Sequence, residues 1–120
     1  MNDEQNKRDL RARTKAFALR IIRLYASLPK TTETQVLGRQ MLKNGTSVGA
    51  HYREATRAGS PAEFVSKIEG GLQELEETVY WLELLEAGIV KESQLRDLLQ
   101  EADELTSIFV SSVKAAKKTK

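Results

Sequence analysis

Apolar residues recur at spacings of three, four and seven along almost the whole chain, and nowhere does strand-type alternation run for a useful length. That pattern admits only helices. The two prolines, Pro29 and Pro61, stand at the junctions between periodic segments, where they stop or start a helix rather than break one. The first segment, from about Asp3 to Leu28, carries Leu10, Phe17, Ile21, Leu24 and Leu28. The second opens with a capping box at Thr32-Glu33-Thr34-Gln35 and runs to about Ala58, with Val36, Leu37, Met41, Val48 and Tyr52 as its apolar points. In the third, Ser60 is the expected N-cap, Pro61 the first helical residue and Glu63 the reciprocal partner. Its stripe is Phe64, Ile68, Leu72, Leu75, Val79 and Leu82, with Gly88 as a left-handed stop. The fourth, from about Lys91 to Lys117, carries Leu95, Leu98, Ala102, Leu105, Phe109 and Val113.

Four helices joined by short turns pack most simply as an up-down-up-down four-helix bundle, and 120 residues fit one such all-α domain spanning positions 1–120. Glycines inside a helix cost about 1 kcal/mol each, so Gly45, Gly49, Gly70 and Gly71 need a packing reason. Around a turn near Gly59-Ser60, facing residues have numbers that sum to about 120. That sum sets Gly49 opposite Gly70-Gly71, where missing side chains would let two backbones approach, and it sets Glu54 level with Lys67.

The run GTSVGAHYREATRAGSPAEFVSKIEGGLQELEETVYWLELLEAG carries a family likeness. Its Ser47-Val48-Gly49-Ala50, Glu54-Ala55, Ser60, Phe64, Lys67, Glu74, Glu77-Thr78 and Tyr80-Trp81-Leu82 resemble the signature of the four-helix-bundle proteins first noticed as products of intervening sequences in bacterial large-subunit ribosomal RNA genes. One departure stands out: family members usually carry Asn after the Val-Gly-Ala run, where this chain has His51. The resemblance implies an up-down bundle, often a ring of five identical subunits, without established catalysis. A similar bundle is the accessory protein of diversity-generating retroelements, to which binding of nucleic acid and of a reverse transcriptase is attributed.

Charge is unevenly placed. Residues 1–60 hold 12 Lys or Arg against 5 Asp or Glu, whereas residues 61–110 hold 3 against 12, and the last ten residues add four lysines. A basic half of this kind can track phosphates, with Arg13, Arg20, Arg23, Arg53, Arg57, Lys114, Lys117 and Lys118 as the expected contacts to RNA or DNA. Opposed faces can equally join subunits head to tail into a cyclic homo-oligomer, with five members as the family pattern implies. Lys67, Glu74, Thr78, Trp81 and Leu85 lie within about 60° on a helical wheel, a second stripe beside the core face that suits a subunit interface. The alternative for that stripe is the rim of the monomer core. The alternative function is a protein-protein adaptor that engages its partner through the acidic third and fourth helices.

Catalysis is not expected. The chain has no cysteine and a single histidine, His51, whereas a di-metal bundle site needs two Glu-x-x-His motifs. Only several copies of His51 around a ring axis could assemble a metal site, and neither metal nor cofactor is expected. No nucleophile elbow, phosphate loop or dinucleotide fingerprint occurs, and Glu74 and Glu77 neighbour each other on one helix without facing a cleft. No apolar run approaches the roughly eighteen residues of a membrane span, the N-terminal segment lacks the apolar stretch of a signal peptide, and the basic tail VKAAKKTK follows a helix whose apolar face belongs to the core. The expectation is a cytoplasmic protein without membrane partners.

Overall fold

The computed structural model describes residues 3–88, 90 and 92–118, with side chains described from Asp9 onward except for those of residues 92–94. Four α-helices follow in order: α1 Asp3–Ser27, α2 Thr32–Ala55, α3 Pro61–Gly88 and α4 Glu92–Lys118. The expected start of the last helix at Lys91 lies outside the described residues. Each helix packs on its neighbours in the chain and α1 closes on α4. Among the described residues the backbones of the diagonal pairs α1–α3 and α2–α4 stay apart, and α2 reaches α4 only by side chains such as Tyr52, whose ring centroid lies 6.2 Å from that of Phe109. This is an up-down four-helix bundle with the helices at the corners of a square. The α1–α2 and α3–α4 faces therefore lie on opposite sides.

The connections follow local chemistry. At the start of α3 the Ser60 hydroxyl accepts from the Glu63 amide at 3.1 Å, and the Glu63 carboxylate accepts from the Gly59 amide at 3.1 Å, one residue earlier than a standard capping box would place it. The α2 cap is Thr31 rather than Thr32: its hydroxyl accepts from the Thr34 amide. Gln35 is drawn away from a capping role, donating to the Pro29 carbonyl at 3.2 Å and meeting the Tyr25 hydroxyl at 3.2 Å. Helix α2 also ends earlier than Ala58, at Ala55, with Thr56 to Ala58 closing a turn by bonds back to residues 52–55. Gly88 is not a left-handed stop. It is the last residue of α3 and has no positive φ; the Val90 amide instead donates to the Leu85 carbonyl at 2.9 Å.

The core runs the length of the bundle and includes Leu10, Phe17 and Ile21 from α1, Met41 and Val48 from α2, Ile68, Leu75, Leu82 and Leu85 from α3, and Leu95, Leu105 and Phe109 from α4. Two expectations shift here. Val36 is 46% exposed, because α2 turns Thr34, Gly38 and Gly45 inward instead. Helix α3 is rotated toward its second stripe, so Thr78 and Leu85 are fully buried while Phe64, Leu72 and Val79 are only partly covered.

The glycines do permit close approach, but between other partners than the turn register alone suggests. A methyl group at Gly45 would lie 2.8 Å from Ile21, at Gly49 3.0 Å from the Thr14 hydroxyl, and at Gly38 2.9 Å from Tyr25. These three positions form a strip on α2 that seats α1. Gly49 thus faces α1 and not Gly70-Gly71. Those two make room for larger side chains: a methyl at Gly70 would meet the His51 ring at 2.8 Å, and one at Gly71 the Phe109 ring at 2.6 Å. Levels across the α2–α3 hairpin do hold, with the Lys67 ammonium 3.3 Å from the Glu54 carboxylate.

Candidate nucleic-acid interface

Where the glycine strip draws α1 against α2, the missing side chain of Gly49 leaves a groove of about 300 Å³ lined by Thr14, Lys15, Ala18, Thr46, Gly49, Ala50 and Arg53. Its walls are small because Ala18 and Ala50 flank the glycine. The Thr14 and Thr46 hydroxyls are engaged by their own helices, donating to the Leu10 and Leu42 carbonyls at 2.7 Å each, so their protons are not available to a ligand. Lys15 and Arg53 are exposed, one from each helix, and neither has an ion-pair partner among the described residues. Arg11, one turn before Lys15, acts electrostatically on Tyr52: burial pushes the Tyr52 phenol up, and the nearby guanidinium opposes that shift. Two cations without ion-pair partners among the described residues thus stand on either helix of the groove, with a third a turn away, an arrangement of positive charge open to an anionic ligand.

The predicted cations divide between two places. Arg53 joins the α1–α2 groove, and Arg57 is exposed at the turn beyond it. Arg23 is exposed on α1 and Arg20 is half-buried. Arg13 belongs elsewhere. Its guanidinium makes a fork with Glu101, through Nη2 at 2.8 Å and Nε at 3.2 Å, and reaches Glu104 at 3.1 Å. The hydrogen bond to Glu101 holds the Arg13 pKa above its ordinary value against the opposing effect of burial. Arg13 therefore clasps α1 to α4 and is not free for phosphate. Lys114 and Lys118 are exposed at the end of α4, and Lys117 lies 3.8 Å from the Glu69 carboxylate. Sequence reasoning missed Lys15 and Arg11. Their spacing of four, with Ala18 on the same flank, was the available signal.

The stripe expected at a subunit interface lies in the α2–α3 seam. Thr78 and Leu85 are inside the core and offer nothing to another subunit. Trp81 donates from Nε1 to the Asn44 side-chain oxygen at 2.8 Å, and the Asn44 amide donates to Glu74 at 2.6 Å and to Glu77 at 2.8 Å. Because the indole can only donate, it settles which way the Asn44 amide points. His51 Nε2 lies 3.2 Å from the other Glu74 oxygen, so this nitrogen carries the proton, while Nδ1 is buried over Gly70 without a hydrogen-bond partner among the described residues. Lys67 completes the seam with Glu54. Asn44 and His51, neither of them a predicted site residue, tie this seam together. Among the described residues no group of three or more acidic or histidine side chains is placed to hold a metal ion, and no helix is long and apolar enough to cross a membrane.

Comparison with known proteins agrees with this architecture. Residues 7–111 match the 23S rRNA-intervening sequence protein family. A crystal structure of a protein with unknown function from the S23 ribosomal protein family of Bacteroides thetaiotaomicron VPI-5482 superposes with a TM-score of 0.82 at 35% identity, covering 88% of this chain and 98% of that one. No match is found among curated proteins.

Proposed function

This chain belongs to the 23S rRNA-intervening sequence protein family, and from that premise we propose that it is a non-enzymatic, homo-oligomeric scaffold that holds RNA or DNA against its α1–α2 face. The observation that carries the reading is the pairing of Lys15 and Arg53 across the groove over Gly49, both exposed and both without an ion-pair partner among the described residues. Arg11, Arg23 and Arg57 extend the positive surface, and Lys114 and Lys118 add to it from the end of α4. Recognition of this kind is by charge and backbone shape: among the described residues the α1–α2 groove is lined by no aromatic side chain and by no strand that could read base edges. The segregation of charge also favours head-to-tail contacts between copies, which close into a ring when the rotation permits.

Fluorescence anisotropy with a structured RNA, a duplex DNA and a single strand tests the reading, with the native chain compared to a variant carrying Ala at Arg23, Arg53 and Arg57. The expected result is micromolar or tighter binding by the native chain and a loss of about tenfold or more in the variant. Absence of binding at about 50 mM salt by a folded sample would reject it. Sedimentation addresses the assembly: a single 13.5 kDa species at micromolar concentration would reject the homo-oligomer.

A further inference from the structure

On the opposite side of the bundle, α3 and α4 enclose a second groove of about 440 Å³, lined by Glu76, Val79, Glu83, Leu99, Asp103 and Thr106. The spacings of three and four put each set of residues on one flank of its helix, over about two turns or on the order of 10 Å. Val79 and Leu99 pack against the core from below and form an apolar floor. The Thr106 hydroxyl is committed to the Ala102 carbonyl at 2.7 Å. Tyr80, next to Val79 in the chain, lies outside the lining: it is 54% exposed and packs its ring on Trp81, centroids 5.1 Å apart.

The rim is what sets this groove apart. Glu101 and Glu104 are matched by Arg13, Glu74 and Glu77 by Asn44, and Glu69 by Lys117. Glu76, Glu83 and Asp103 are exposed and have no cation or hydrogen-bond donor among the described residues. Three unmatched carboxylates around apolar floor residues favour an occupant that is cationic at its edges and apolar at its centre. A polyanion meets repulsion there. We propose that the α3–α4 groove docks a basic amphipathic segment of a partner protein, a helical stretch of about two turns. An apolar side chain of that segment covers Val79 and Leu99, and lysines or arginines pair with Glu76, Glu83 and Asp103. None of these residues belongs to the α1–α2 groove, so the proposal stands or falls separately from nucleic-acid binding, and the two partners can be held at once.

The probe is a fluorescein-labelled 14-residue peptide with leucines along one helical face and lysines on its flanks. Two control peptides replace the lysines by glutamate or the leucines by serine. Each is titrated into the full chain and into a Glu83→Gln/Asp103→Asn variant, with amide chemical shifts recorded at saturation. The expected result is saturable binding of the leucine-lysine peptide, weakened about tenfold in the variant, with shifts centred on residues 76–83 and 99–106. Neither control peptide binds comparably, and RNA binding by the variant is unchanged. Equal affinity of the variant, equal binding of the serine peptide, shifts centred on the α1–α2 face, or no binding at about 1 mM peptide would each overturn the proposal. So would altered sedimentation of the peptide-free variant, which would assign the groove to a second copy of the chain.

Discussion

Asn44 is 5% exposed and uses three of its hydrogen-bonding positions on three different side chains of α3. Changing Asn44→Leu removes the acceptor for the Trp81 indole and the donors for Glu74 and Glu77 while keeping the branched heavy-atom skeleton. The expected cost is about 2–3 kcal/mol in urea unfolding, with a shifted Trp81 emission. A change under about 0.5 kcal/mol would show that water replaces the amide without penalty. The glycines give a contrast of sign. Gly71→Ala gains about 1 kcal/mol of helix propensity but drives a methyl to 2.6 Å from Phe109, so a net loss of about 1–3 kcal/mol is expected. At Gly88 nothing lies within 4 Å and φ is not positive, so Gly88→Ala is expected to stabilise by about 0.4–1 kcal/mol. Thermal unfolding of both variants checks the pair.

At the scale of the helices, α1 and α4 meet through Arg13. Arg13→Ala is expected to cost about 1 kcal/mol and to speed amide exchange in the first half of α1 and around Glu101, with Arg13→Lys restoring only part because an ammonium cannot make the fork. Unchanged exchange would place the strength of that seam elsewhere. The number of helices, their order and their levels are legible in the sequence because caps, prolines and short turns are local: the Ser60 cap and the Lys67–Glu54 level need no knowledge of the rest of the fold. The rotation of α3 is less legible. Thr78 reads as polar, yet its hydroxyl donates to the Glu74 carbonyl at 2.7 Å, which leaves a methyl to pack in the core. The same device buries Thr14. The partner of the α2 glycines is likewise hidden, because a residue without a side chain carries no sign of which neighbour approaches it.

Across the whole molecule, the charge polarity of the sequence becomes two grooves on opposite faces, one with unpaired cations and one with unmatched carboxylates. The sign of each face is legible from composition. Membership of each site is not: Arg13 is consumed by Glu101 and Glu104, while Lys15 joins Arg53 because the glycine strip draws their two helices together. The central claim, that the α1–α2 face holds nucleic acid through its phosphates, is tested most directly by the salt dependence of duplex-DNA affinity for the native chain and for a Lys15→Ala/Arg53→Ala variant. If both residues neutralise phosphates, the slope of log K against log salt falls in magnitude by about 1.8 in the variant, roughly 0.9 for each phosphate left without its cation. Identical slopes and affinities for the two proteins would contradict the account.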